Sequence, residues 1–361
     1  MDFAVDAEAI AVGDVAADVL ARHETHWESK FDSEVGGFDT DLWRAMGGAG
    51  LGVLALPSSL GGDDLGVLAL LPLLRRLGES AAVLPVIGSL TSALVLAHLD
   101  PEASDSGPRR RWAATLADGA WHAVAIGEVG DPLTEAPRTR LRDGRLDGTK
   151  TGVLHADGAS ALLVAADAGV VAVRPDAPGV AVHRTVSSSG WGEYTVRFDN
   201  VAVDDADLLT ADLAVLRDRY RIALCAFADG LIGGATRLTA DHVSARNQFG
   251  KPIALFQAVG QQLADIYVVG RSMNLATTSA AWRLSEGLDA QQDLAIGAYW
   301  LAAEIPATLR TMTHLHGGVG VDLTYPLHRY FSIAKDLARL VGGAHARLDE
   351  MADEQVASRV Y

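Results

Sequence analysis

The sequence predicts an α+β fold in three consecutive parts: a helical domain, a β-domain and a helical bundle. Two observations predict it. The hydrophobic pattern changes twice, from long apolar runs without alternation, to short runs punctuated by turn residues, and back to stripes at three- and four-residue spacing. Four long helical segments in the last part are joined by short Gly-, Asn- and Asp-containing breaks, which implies an antiparallel four-helix bundle. The expected boundaries are residues 1–118 for the N-terminal helical domain, 119–209 for an antiparallel, barrel-like β-domain, and 210–361 for the bundle.

In chain order, Thr40 to Met46 is a short helix ending at Gly47–Gly48, and Leu65 to Leu77 is apolar nearly all round, as a helix buried between others would be. Val83 to Leu99 is the most apolar stretch. Pro85, Ser89, Thr91, Ser92 and His98 interrupt it, so it reads as a buried helix and falls short of a membrane span. ASDSGP (103–108) is a loop. Next come WHAVAIGE, RTRLRDGRLDGTKTGVL, SALLVAAD, VVAVRP, GVAVHRTV and YTVRFDNVAV, six strand-like stretches with Asp143–Gly144 and Asp147–Gly148 as hairpin-type turns. In the last part, Leu213, Leu216, Tyr220, Leu224, Phe227 and Leu231 form one apolar stripe along a helix. Phe256 to Glu286, Gln291 to His316 and Pro326 to Glu354 are the other three helices.

Composition limits the function. A formal net charge of −16 leaves no basic stripe for a nucleic acid, although a local Arg can still hold an anionic cofactor. The single cysteine, Cys225, allows no internal disulfide, and its apolar neighbours make it a structural thiol in a reducing compartment. The acidic start MDFAVDAEAI has no basic or apolar leader pattern, so a cytoplasmic protein without a membrane segment is expected.

Two segments carry the chemistry. RNQFGKPIALFQAV (246–259) offers a guanidinium at Arg246, an amide at Gln248, aromatic faces at Phe249 and Phe256, and a tight turn at Gly250. Arg is suited to a pyrophosphate through its forked donors and permanent charge. HLHGGVG (314–320) places Gly317 and Gly318 at a helix end, where the backbone can approach a ligand closely and present N–H groups, beside the donor His314. His314, His316 and His328 have no carboxylate or thiolate at ligand spacing, so a metal site is not expected. GGAGLG (47–52) has the wrong spacing for a dinucleotide loop and reads as a turn.

These two segments resemble the C-terminal signatures of the acyl-CoA dehydrogenase family, R-x-x-F-G-x-P-I-x-x-F-Q and Q-x-x-G-G-x-G, with His314 at the usual Gln. YPLHR (325–329) matches the family's Y-P-x-x-R, and LPSSLGG (56–62) resembles its L-P-x-x-x-G-G. The resemblance implies the family's fold and an FAD cofactor. In the family, the first segment reaches across a dimer interface to the ADP portion of FAD held mainly by the neighbouring subunit. Arg246, Gln248, Phe249, Phe256, His314, Gly317 and Gly318 are therefore the expected cofactor-binding residues.

The chemical half of the family pattern is missing. Counting from Gly317–Gly318 through Lys335, the usual catalytic Glu falls on Val341, followed by Gly342 and Gly343. The alternative base position, twenty-six residues before Arg246, holds Tyr220. Neither can remove an α-proton at neutral pH, and losing a general base typically costs about 10²–10⁴ in rate. The family's T-E-P-x-A-G-S-D is GEVGDPL (127–133), with only Glu128 in register. Its K-x-W-I-T-N is KTGVLH (150–155), with Gly152 for Trp and Leu154 for Thr. The intact pyrophosphate motif beside a dismantled flavin-ring motif implies a division of labour.

The resemblance therefore points to the non-catalytic subunit of a heteromeric (α2β2) acyl-CoA dehydrogenase like those of actinobacterial steroid side-chain degradation. A homologous Glu-bearing partner is expected to supply the base and share its FAD, with an acyl-CoA as substrate and an electron-transfer flavoprotein or similar acceptor. Two alternatives stay open. One is a self-sufficient enzyme with its base moved to Asp218 or Asp229; the other is a non-enzymatic acyl-CoA-binding scaffold. The SSSGWGEY loop (187–194) places Trp191 either near substrate or as a core plug.

Overall fold

A computed structural model of the chain describes residues 6–23, 37–99, 107–209 and 211–359. The N-terminal part contains α1 (Ala7–Ala21), α2 (Thr40–Gly48), α3 (Val67–Glu79), α4 (Val86–His98) and α5 (Pro108–Ala117). Asp6 and Asp39 start the first two helices by accepting from the N–H groups of Ala9 (2.7 Å) and Leu42 (3.0 Å), satisfying donors a helix start leaves unpaired. α4 is the buried helix expected from its apolar run. Of the loop expected at 103–108, residues 103–106 lie outside the described residues, and Pro108 opens α5.

The β-domain comprises β1 (His122–Ala125), β2 (Arg140–Arg142), β3 (Arg145–Leu154), β4 (Ala161–Ala166), β5 (Gly169–Val173), β6 (Val180–Thr185), β7 (Glu193–Ala202) and β8 (Leu208–Leu209). All six predicted strand stretches form strands. They build two four-stranded sheets, β1-β4-β5-β8 and β2-β3-β7-β6, in place of one continuous barrel. The pair β1–β4 is parallel, a departure from the antiparallel expectation. Asp143 (φ 49°) and Gly144 (φ 68°) make the expected tight turn between β2 and β3. Asp147–Gly148 does not turn. It lies inside β3 at a register shift against β7, because Gly148 lets the strand pass where a Cβ would overlap the Thr139 side chain. The sheets enclose their own core around Val153, Leu162, Val164, Val196 and Phe198.

His122 ties the first two parts together. Its ring is hydrogen-bonded to Ser92 of α4 (2.6 Å) and Thr115 of α5 (2.8 Å), and burial pushes it down to about 3, so it stays neutral.

The bundle starts with α6 (Leu213–Ala245), then a small hairpin of β9 (Asn247–Gln248) and β10 (Lys251–Pro252), and continues with α7 (Gln257–Ser285) and α8 (Gln291–Tyr299). A π-helical turn at Trp300–Glu304 leads without a break into α9 (Ile305–His316), at the point where Pro306 removes a backbone donor. α8 and α9 together are the expected third helix. The fourth is interrupted: α10 (Leu327–Leu340) stops at Val341, and α11 starts at Gly343 and runs to Arg359. Gly342 (φ 89°) and Gly343 (φ 77°) are both left-handed, which two successive residues adopt readily only as glycine and which no α-helix can contain.

α6 is the central strut, buried over most of its length against α3, α4, α7 and α9. It is long and apolar enough to cross a membrane, but 78% of its apolar window is covered by the rest of the fold, as in a core helix. Cys225 lies inside it, and burial pushes its thiol up to about 12, consistent with an inert structural cysteine.

Candidate cofactor arm and domain seam

The first motif forms a projecting arm. α6 ends where Arg246 turns extended, and the β9–β10 hairpin reverses the chain through Phe249 (φ 52°) and Gly250 (φ 80°). The N–H of Ile253 donates to Arg246 O at 2.8 Å and closes the base of the hairpin. Phe249 is 93% exposed at its tip, edge-on to half-buried Phe256 at 6.2 Å, and Lys251 Nζ sits 4.3 Å above the Phe256 ring. Arg246 and Gln248 are exposed, and Arg246 makes no side-chain hydrogen bond or ion pair among the described residues. A large aromatic held in water at a left-handed position stabilises nothing within its own chain. Such an arrangement fits contact with another surface.

The second motif meets the first at the same end of the bundle. Gly317 (φ 63°) ends α9, and Gly317–Val321 is a 3₁₀ turn with Gly317 and Gly318 exposed, beside exposed His314. The rings of His242 (α6) and His316 (α9) stack 4.3 Å apart at 22°, and Tyr325 lies 5.4 Å from His316. His316 Nδ1 is hydrogen-bonded to Met312 O and His328 Nδ1 to Tyr325 O. Among the described residues no group of three or more His, Cys, Asp or Glu is placed to hold a metal.

The family base positions lie elsewhere, in the interior. Val341 is 0% exposed and Tyr220 is buried; burial pushes the Tyr220 hydroxyl further from ionisation, with Glu193 adding to the effect and Arg339 opposing it. Around them the β-domain and bundle are bolted together. Asp336 of α10 accepts from Ser188 N (2.9 Å), Ser189 N (2.8 Å) and Ser189 Oγ (2.6 Å). Arg329 donates to Ser189 O at 3.0 Å, and Arg339 pairs with Glu193 of β7. Arg329 is thus a buried structural donor to a backbone carbonyl. Trp191 is a core plug, fully buried edge-on to Phe227 at 5.6 Å. Leu340 presses onto β3 so closely that a Cβ at Gly152 would lie 2.9 Å from its Cδ2.

Neither the flat ring nor the hydroxyl of the family's flavin-ring motif is present at Gly152 and Leu154. Beside them the chain is closely packed, with Leu340 against Gly152 and Trp191 buried against Phe227. The arm, in contrast, is open and could hold the phosphate end of a dinucleotide seated in another chain.

The two residues surviving from the flavin motifs bind each other. Lys150 Nζ is 2.8 Å from Glu128 Oε1, both side chains buried, and Glu128 also accepts from the N–H and Nε of Arg138 and the N–H and Oγ1 of Thr139. Burial pushes the Glu128 carboxyl up, but these donors overcome it and hold it down to about 2. Asp218 and Asp229 also have structural partners: Asp218 accepts from Gln291 at 2.8 Å, and Asp229 is held by Arg75 and by Asn274 at 3.0 Å. Sequence reasoning missed the Ser188–Ser189–Asp336 clasp and the His242–His316 stack. Their members lie far apart in the chain, and no motif marks them.

Comparison with known proteins agrees with this architecture. The profile of the acyl-CoA dehydrogenase N-terminal domain matches residues 7–120, and that of the acyl-CoA dehydrogenase C-terminal domain matches residues 217–357. The chain is 41% identical over 351 residues to acyl-CoA dehydrogenase FadE28 of Mycobacterium tuberculosis, covering 97% of each chain. It is 34% identical to FadE27 of the same organism, covering 88% of each. Among solved structures it superposes on a chain of the ChsE4–ChsE5 complex from Mycobacterium tuberculosis with a TM-score of 0.89 at 32% identity over 99% of each chain. It superposes on a chain of the Tcur3481–Tcur3483 steroid acyl-CoA dehydrogenase with a TM-score of 0.88 at 32% identity, over 98% of this chain and 99% of that one. The chain belongs to the acyl-CoA dehydrogenase family, flavin-dependent oxidoreductases acting on CH–CH bonds, and is similar to members found in heteromeric complexes.

Proposed function

We propose that this chain is the non-catalytic subunit of a heteromeric, FAD-dependent acyl-CoA dehydrogenase and completes the cofactor site of a homologous, Glu-bearing subunit. The observation that carries the reading is the contrast within one molecule. The Arg246–Gln248–Phe249 arm is intact and exposed, while Val341 and Tyr220 are at the base positions and Gly152 and Leu154 at the flavin-ring positions. A chain drifting without function has no reason to keep the first while losing the second.

In this reading FAD, when bound, accepts the hydride equivalent from the β-carbon of an acyl-CoA, giving a trans-2-enoyl-CoA. The partner's carboxylate removes the α-proton. The residues of this chain would bind and orient: Arg246 and Gln248 would donate to the ADP end, Phe249 and Phe256 would offer it aromatic faces, and His314 with the Gly317–Gly318 backbone would supply further donors. An α2β2 assembly in a reducing cytoplasm, passing electrons to an electron-transfer flavoprotein or similar acceptor, completes the proposal. Similarity to a steroid acyl-CoA dehydrogenase supports a steroid side-chain thioester as substrate.

The test is FAD titration of the assembled heteromer carrying Arg246→Ala. Losing a charge-assisted bond worth roughly 1.5–3 kcal/mol predicts about ten- to hundredfold weaker FAD. Arg246→Lys should recover only part of it, because a point charge does not reproduce the fork. Unchanged affinity in Arg246→Ala would make the segment a bundle corner and defeat the reading.

A further inference from the structure

We propose that the stacked pair His242–His316 is the positioning joint of the shared cofactor site, setting the Arg246 arm against the Gly317–Gly318 turn. The inference rests on the proposed function for the identity of the ligand; the joint itself is geometric. His242 lies one turn before Arg246, whose N–H donates to His242 O at 2.9 Å. His316 immediately precedes Gly317, and its ring is fixed through Nδ1 to Met312 O at 2.9 Å. With 4.3 Å between centroids and 22° between planes, the two rings join the last turn of α6 to the last turn of α9. Tyr325 also lies against His316, 5.4 Å away, so α6, α9 and the Tyr325 segment meet at one imidazole.

Protonating both rings would set two cations face to face 4.3 Å apart, so the joint should be pH-dependent. Burial pushes His242 below the ordinary histidine value, and the Arg246 guanidinium pushes it in the same direction. Burial pushes His316 down too, with His242 adding to this and the Met312 carbonyl opposing it. The other titratable groups nearby are Asp241 on α6, exposed His314 on α9, and Asp322, Tyr325 and His328 on the segment that follows. None of these carboxylates bonds to either ring among the described residues. The sign follows. A group with a depressed folded value adds no pH dependence above its ordinary value of about 6.5, and its contribution is lost as the pH falls below that. The arm should therefore loosen on acidification.

The experiment measures FAD affinity of the assembled heteromer from about pH 8 to pH 5, for this chain unaltered and as His242→Ala, His242→Phe and Arg246→Ala. The expected result is constant affinity at and somewhat below pH 6.5, because both rings stay neutral there in the folded chain, then on further acidification a loss of up to about tenfold per pH unit for each titrating ring. His242→Ala should weaken FAD at all pH values. His242→Phe keeps a flat ring over His316, and should recover most of that loss and show a shallower acid limb. An acid limb in His242→Phe identical to the unaltered chain overturns the joint. If Arg246→Ala weakens FAD while both His242 variants match the unaltered chain, only this inference falls; if Arg246→Ala has no effect, the proposed function falls with it. On the isolated chain, NMR titration of the two rings should place both below 6.5. A value at or above 6.5 for either, with the stack intact, would also overturn the inference.

Discussion

At the scale of single residues, Glu128 shows how a functional-looking residue can be structural. It accepts five hydrogen bonds, from Arg138 (two), Thr139 (two) and Lys150, inside the β-domain. Because its carboxyl is held at about 2 against an ordinary 4.5, its ionised form contributes stability that is present above pH 4.5 and lost as the pH falls towards 2. Glu128→Gln should therefore destabilise the chain clearly at neutral pH and much less near pH 2, measured by urea unfolding at both. Lys150→Met should also destabilise the chain, since the buried Glu128 carboxylate loses its buried cation and keeps only Arg138 and Thr139. Val341 makes the complementary case. Val341→Glu puts a carboxylate into a fully buried, apolar position and should destabilise the chain by roughly 2 kcal/mol or more in thermal unfolding. It should also produce no enoyl-CoA in the isolated chain, because the flavin-ring contacts missing at Gly152 and Leu154 stay missing. The identities at positions 341, 220, 152 and 154 were legible from motif spacing. That Leu340 packs on Gly152 and Trp191 on Phe227 was not, because spacing records what is lost and not what fills the space.

At the scale of elements, the hairpin and the clasp can be tested separately. Phe249 is almost wholly in water, so Phe249→Ala should change the unfolding free energy of the isolated chain by no more than about 0.5 kcal/mol. In the heteromer the same change should weaken assembly by about 2 kcal/mol, as for a buried aromatic anchor, measured by sedimentation across a dilution series. The clasp behaves in the opposite way. Asp336→Ala leaves the buried N–H and hydroxyl of Ser189 without their acceptor, as well as the N–H of Ser188, and should destabilise the isolated chain by roughly 2 kcal/mol in urea unfolding. Element order was largely legible: all six strand stretches and the four bundle segments follow from period and turn chemistry. Three departures have local causes. Asp147–Gly148 has a turn composition, but Gly148 is needed for passage past Thr139. The last helix carries an unbroken apolar pattern, but two left-handed glycines divide it. The two sheets and their parallel β1–β4 pair depend on long-range pairing that no local signal encodes.

At the scale of the whole molecule, the chain is tightly packed around Val341 and Tyr220 and exposed at the Arg246–Phe249 arm. Both follow from the same α6 strut, which carries Tyr220 in the closed interior and delivers Arg246 at its exposed end. FAD held between two chains stabilises only the assembled state, so assembly and cofactor affinity should rise and fall together. The central claim is that this polypeptide holds no flavin of its own yet is required for its partner's. It is tested most directly by counting FAD spectroscopically in the purified chain alone and in the purified heteromer, with acyl-CoA oxidation assayed on both. The account predicts colourless, inactive protein for the isolated chain, and about one FAD for every two polypeptides with turnover in the heteromer. Stoichiometric flavin and turnover in the isolated chain would contradict it.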